Sequence, residues 1–260
     1  MTDLRLPHVV RSEWTKLVSL RSTAYTLAGT AVVGIGLSLL ISAGQATAYQ
    51  AAGAAERAEF DPIVGLRSIL VAQLTLGVLG VLVVTSEWAT GMMRTSLTAV
   101  PRRGRLLAAK ALVFTGVALI VGQVVGLTAF LVGQRVLADG GAPHLTLGDP
   151  GALRAATGYG LYLAATGLLG VALGTLLRST AGALATLFAI TLLVPAFIPA
   201  LPTFLSDFLH TWWPTMAGLQ VISMTPEPHS LDPWPGFALL TGSVAVLTVA
   251  AASVFRRRDV

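Results

Sequence analysis

The chain is divided by six long intervals that contain no charged residue: 22–55, 68–86, 111–134, 155–177, 179–206 and 233–255. Each is long enough for a membrane-crossing helix, which takes roughly 20 apolar residues. A chain so built has few options, because unpaired backbone groups are costly in lipid and helices satisfy them internally. The composition agrees. Charged residues are 11% and hydrophobic residues 54% of 260, whereas ordinary soluble domains carry about 25% charged residues. The expectation is an all-α polytopic membrane protein, one transmembrane domain over 1–260. Its span cores fall at 24–43, 69–85, 106–132, 156–177, 181–201 and 237–255. The long charged segment before the first span does not read as a cleavable signal.

Charge sets the orientation. With six spans and both ends in the cytoplasm, 13 of the 17 basic residues lie inside, and only Arg57, Arg67, Arg135 and Arg154 lie outside. Eight of the 12 acidic residues fall outside. This is the bias that lysines and arginines impose on topology. It also accounts for the net charge of +5 without a nucleic-acid partner. Of the basic residues 15 are Arg, which points to a GC-rich bacterial genome. A seventh charge-free interval, 208–226, is only modestly apolar and contains Pro214. An even span count makes 203–230 a surface or re-entrant segment on the outer face, anchored by Trp212, Trp213 and Trp234. Pro195, Pro199 and Pro202 close the fifth span, either as a helix stop or as a broken end lining an exit path.

Two cytoplasmic stretches are patterned. In residues 4–20, Leu6, Val10, Trp14, Leu17 and Val18 share one helical face, opposite Arg11, Ser12, Thr15, Lys16 and Ser19, as in a helix lying in the membrane interface. Glu13 sits beside the apolar stripe. It either pairs with Lys16 or reaches water, or it makes a fixed contact to another cytoplasmic element. The second stretch runs Glu87-Trp88-Ala89-Thr90-Gly91-Met92-Met93-Arg94, then Pro101-Arg102-Arg103-Gly104-Arg105, and ends at Lys110. Its five cations keep it in water. Residues 87–100 suit a short stiff helix, Gly91 allows close backbone approach, and Pro101 ends the helix. Arg102, Arg103 and Arg105 either face anionic lipid or an acidic partner, or serve only as topology signals.

Several chemistries are missing. There are no cysteines, hence no disulfides and no thiolate metal sites. No phosphate-binding Gly-x-x-x-x-Gly-Lys-Ser/Thr loop occurs, so ATP is not handled in the P-loop manner. The four histidines are scattered, and Asp207, His210 and His229 are the nearest approach to a metal set; no metal is expected. No nucleophile-base arrangement is evident, so the chain is not read as an enzyme. The charge-free intervals hold only mild polar groups: Gln73, Gln123, Thr128, Thr157, Tyr159, Tyr162, Thr166 and Thr191. They suit bridges between helices better than ion coupling, which usually needs an ionisable group in the membrane. The pairs Gly122 with Gly126, Gly170 with Gly174, and Gly77 near Gly80 suit close helix packing.

The N-terminal Ser12-Glu13-Trp14-Thr15-Lys16-Leu17 leading through Leu20-Arg21-Ser22, the loop from Glu87 to Lys110, and six spans with a long outer loop before the last together resemble the ABC-2 type permeases, especially the single-chain permeases of actinobacteria. The resemblance implies the membrane half of an ATP-driven exporter in the bacterial plasma membrane. A separate ATPase subunit would bind ATP and Mg, leaving this chain without a cofactor, and a second permease chain would complete a homo- or heterodimer. It implies a connecting helix carrying Glu13, Trp14 and Lys16, and a coupling helix docking on the ATPase through Glu87, Trp88, Gly91, Arg94, Arg102 and Arg103. The segment before span six would be a re-entrant hairpin, and the cargo an amphipathic drug, antibiotic, lipid or peptide. The alternatives are a stand-alone ion-coupled carrier and a non-transporting scaffold or sensor subunit.

Overall fold

The computed structural model describes residues 6–99, 103–225 and 228–257. Pro101, Arg102 and Arg258 lie outside them. Helices follow in order: α1 (Leu6–Ser19), α2 (Arg21–Ala51), α3 (Ala54–Ala58), α4 (Ile69–Ala89), α5 (Met92–Ala99), α6 (Arg103–Asp139), α7 (Ala152–Leu177), α8 (Thr180–Phe188), α9 (Val194–Phe197), α10 (Thr203–Trp212), α11 (Pro214–Leu219) and α12 (Pro233–Arg257). No strand occurs among the described residues. Six helical stretches are long and apolar enough to cross a membrane. All six expected span cores fall within them, to within one residue at Leu201.

Helix α7 is the axis of the bundle. In its most apolar window 78% of residues are buried, against 22% in α2 and 17% in α12. Its small residues make this possible. A Cβ on Gly170 would stand 2.3 Å from the Gly77 carbonyl, and one on Gly80 would stand 2.1 Å from that of Gly167. On the other flank, a Cβ on Gly122 would meet the Gly160 carbonyl at 2.8 Å, and one on Gly126 that of Ala156 at 2.6 Å. Backbone-to-backbone packing of this kind compensates for the missing hydrophobic drive between helices in lipid. The expected glycine pairs are therefore the seams joining α4 and α6 to α7.

Four of the mild polar side chains bridge between segments, whereas the hydroxyls of Thr157, Thr166 and Thr191 bond back to carbonyls four residues earlier. Tyr162 Oη donates to Gln73 Oε1 at 2.9 Å, Tyr159 Oη lies 3.1 Å from Ser68 Oγ, and Gln123 Nε2 donates to the Thr157 carbonyl at 2.9 Å.

The fifth span is broken as its prolines suggest. α8 gives way to a π turn at Ala189–Leu193, then α9, then a 3-10 turn at Ile198–Ala200. Pro195 has no N–H to close an α-helical bond, and a wider turn before it accommodates the defect. The Ile190 carbonyl in that turn accepts from Trp213 Nε1 at 2.9 Å and Thr215 Oγ1 at 3.2 Å. Trp213 is thus an internal tie, while Trp212 and Trp234 stand more than half exposed. Arg154, on the first turn of α7, donates to the carbonyls of Val221 and Ser223 at 2.9 and 2.8 Å. α10 and α11 are held to this end of the bundle by these bonds.

Candidate functional site

At the opposite end, the two patterned stretches meet. The face of α1 that turns inward carries Val9, Glu13 and Leu17, four residues apart and each at most 6% exposed. The expected apolar stripe lies largely on the outward side of α1, the side a helix in a membrane interface turns to lipid. Leu6, Trp14 and Val18 face outward, 40–59% exposed, with Leu17 alone of that stripe buried. The carboxylate of Glu13 is turned inward, toward Lys110 of α6, and also accepts from Lys16 of its own helix.

Four charged side chains form one buried cluster. Lys110 Nζ donates to Glu13 Oε2 at 2.7 Å and to Glu87 Oε1 at 2.9 Å. Lys16 Nζ donates to Glu13 Oε1 at 2.7 Å, to Glu87 Oε1 at 3.2 Å and to Ser96 Oγ at 3.0 Å. Glu13, Glu87 and Lys110 are less than 10% exposed; Lys16 is the wetter member at 29%. The set is electrically balanced and joins four helices: α1, the last turn of α4, α5, and the second turn of α6. Such burial survives only with partners on nearly every polar atom.

The electrostatics follow. Burial pushes the Glu13 carboxyl up, but Lys110 and Lys16 outweigh it and hold it below the usual range. Burial pushes the Lys16 ammonium down, and Glu13 and Glu87 outweigh that in turn, so it lies above its usual value. One oxygen, Glu87 Oε2, is buried and has no hydrogen-bond partner among the described residues.

The loop helix differs from its expected form. Glu87 and Trp88 do not lie on it: they close α4, and Glu87 points into the bundle. Gly91 takes a left-handed φ of 71°, and nothing lies within 4 Å of where its Cβ would be. Within this chain its role is to turn the backbone, not to admit a close neighbour. α5 then runs from Met92 to Ala99, with Met93 buried, Leu97 against the core and Ser96 on Lys16. Arg94 lies on α5, its side chain outside what is described. Arg103 and Arg105 are half-buried on the first turn of α6.

A second contact locks the same end. The Arg178 guanidinium stacks 4.3 Å over the Trp88 ring, and Trp88 meets Phe255 edge-on at 6.3 Å. Arg178 holds a left-handed φ of 51° at the end of α7. The ends of α4, α7 and α12 are thereby joined.

Sequence reasoning counted Lys110 as a loop cation and missed its role, together with that of Ser96. One signal was available. The tripeptide Ser-Glu-Trp occurs at 12–14 and at 86–88, and the chain has only two lysines. The two glutamates and the two lysines are the four members of the cluster. At the other end, His229 Nδ1 lies 3.6 Å from Asp207 Oδ1. No three metal-ligating side chains converge among the described residues.

Comparison with protein-family models and with curated proteins gives no match.

Proposed function

We propose that this chain is the membrane-spanning permease subunit of an ATP-binding cassette exporter of the ABC-2 type. A separate ATPase would energise it, with ATP and Mg bound in that partner. The observation that carries the reading is the grip on α5. This short helix is tied at one end to α4 through a single turn and leads at the other into α6. Lys16 fastens it to α1 through Ser96.

A force on α5 or α1 is then delivered to the ends of two spans at once. Glu13 and Lys110 couple α1 to α6, and Glu87 couples both to α4. In this reading α5 is the coupling helix and α1 the connecting helix. The outward Leu6, Trp14 and Val18 lie in the inner interface of a bacterial plasma membrane. Both termini are cytoplasmic, α10 and α11 form the outer re-entrant segment, and a second permease chain covers the exposed spans. The cargo is amphipathic, consistent with spans that lack isolated charges.

A stand-alone ion-coupled carrier is the second reading. Glu87 Oε2, buried at the end of a span and without a partner among the described residues, favours it. The balance of two carboxylates by two ammoniums counts against it. The test is purification of the chain with a P-loop ATPase encoded beside it. Co-purification, and loss of ATP-driven export on Glu87→Ala, support the proposal. Failure to co-purify together with intact export in Glu87→Ala rejects it, and ion-driven transport by this chain alone in liposomes establishes the second reading.

A further inference from the structure

The arginines at the two ends of the bundle differ in their partners. At the end that carries α10 and α11, each finds an acceptor within the chain. Arg57 donates to the Tyr49 and Gln50 carbonyls at 3.1 and 2.9 Å, Arg67 faces Asp61, Arg135 pairs with Asp139, and Arg154 holds the Val221 and Ser223 carbonyls. At the charge-cluster end, Arg256 and Arg257 close α12. Both are exposed, and neither makes a hydrogen bond or ion pair among the described residues. The Arg256 guanidinium lies across Gly104, its Nε and Nη2 2.9 Å from where a Cβ on that glycine would stand. Gly104 sits between Arg103 and Arg105 on the first turn of α6. Glu13 and Glu87, the acidic residues described at this end, are already matched by Lys16 and Lys110. Unmatched positive charge therefore gathers where α6 begins and α12 ends.

We propose that this patch seats the phosphate of an anionic phospholipid from the adjoining bilayer leaflet. Depth and face favour a lipid over an acidic protein. Val249 on α12 and Leu112 on α6 point out of the bundle, 66% and 59% exposed. At 1.5 Å of rise per residue, Val249 stands about 10 Å along α12 from Arg256, as does Leu112 along α6 from Arg105. That interval is one heptad, nearly two full turns, so each arginine shares a helical face with the apolar side chain below it. Bare apolar side chains on a span belong in hydrocarbon, and a cation two turns beyond them lies at headgroup depth. The outward faces of both helices thus run from lipid tails into arginine. Charge then selects the head. Guanidinium groups pair with phosphate oxygens through two parallel N–H donors. A zwitterionic head brings its own cation to an already positive surface, whereas a net-negative head does not. The site depends on neither a partner ATPase nor transport, so it stands apart from the export reading.

The test uses the full chain in phosphatidylcholine nanodiscs with graded phosphatidylglycerol. Lipid that stays bound after extraction is counted by native mass spectrometry. Phosphatidylglycerol is expected to be retained saturably and in preference to phosphatidylcholine. Arg256→Gln with Arg257→Gln should weaken its retention roughly 30-fold, the scale of two arginines at an anionic membrane surface. Arg256→Lys with Arg257→Lys keeps the charge and should keep most of the retention. Arg67→Gln with Arg135→Gln removes the same charge from the opposite end and should leave retention unchanged. A phosphatidylglycerol analogue with a diazirine in its head group should label the first turn of α6 and the last turn of α12. Equal retention of the two lipids by the wild-type chain, equal loss in the two glutamine pairs, or labelling confined to other segments overturns the proposal. Undiminished retention in Arg256→Gln with Arg257→Gln overturns it too, and loss of an acidic protein partner in that variant would then assign the patch to protein docking. Should the glutamine pair misfold, the wild-type preference and the lysine pair still decide.

Discussion

Replacing Lys110 by Met removes the more deeply buried of the two ammoniums that bond both carboxylates. The bonds lost are those to Glu13 Oε2 at 2.7 Å and Glu87 Oε1 at 2.9 Å. Two carboxylates then share Lys16, which is 29% exposed and already bonded to Ser96. One negative charge is left buried without compensation. Breaking a buried pair in this way costs about 3–5 kcal/mol, whereas an exposed pair is worth about 0–1 kcal/mol. Methionine matches the lysine stem in length, so packing loss is small. The diagnostic is the double variant Glu13→Gln with Lys110→Met. It restores neutrality, so its destabilisation should fall short of the sum of the singles by roughly 2 kcal/mol. The assay is reversible unfolding in mixed micelles, followed by fluorescence of the five tryptophans, Trp88 being the neighbour of Glu87. A Lys110→Met cost below about 1 kcal/mol, or additive singles, would refute a buried balanced cluster.

Other outcomes follow from the same geometry. For pH, Glu13 is depressed in the folded chain, so its contribution is complete above about 4.5 and fades as pH falls through the folded value. Lys16 is raised, so its contribution is complete below about 10.5 and fades as pH rises through the folded value. Unfolding midpoints should be flat between those limits and fall outside them, and Glu13→Gln should remove the acid limb's share. Gly80→Ala forces a methyl against the Gly167 carbonyl and should cost about 1–3 kcal/mol. Gly29→Ala meets nothing within 4 Å and should be neutral or stabilising by up to about 1 kcal/mol through helix propensity; chemical denaturation of both distinguishes them. Trp213→Phe loses the bond to the Ile190 carbonyl and should cost about 1 kcal/mol, with faster hydrogen exchange in α10 and α11 by mass spectrometry.

The spans were legible because lipid leaves a coarse mark: long intervals without charge, interrupted by clustered arginines. The glycine seams were legible too, since spacing of three or four residues places small side chains on one face. The inward contact of Glu13 was not. An amphipathic pattern reports where apolar side chains gather, but not that Glu13 is drawn inward by Lys110 of another helix. Likewise the end of α4 was placed early because a glutamate reads as loop. Its partner, Lys110, lies 23 residues away and on another helix, and no local pattern reports such a pairing. The turn that the positive φ of Gly91 makes between α4 and α5 was not legible either.

The account rests on the cluster end of the bundle facing the ATP-containing side of the membrane. The chain has no native cysteine, so single cysteines report without background. Thr98→Cys lies exposed on α5 and Ala55→Cys exposed on α3, at the opposite end. In intact cells a membrane-impermeant maleimide should label position 55 and spare position 98 until the membrane is opened. Labelling of position 98 in sealed cells, with position 55 protected, would contradict the account.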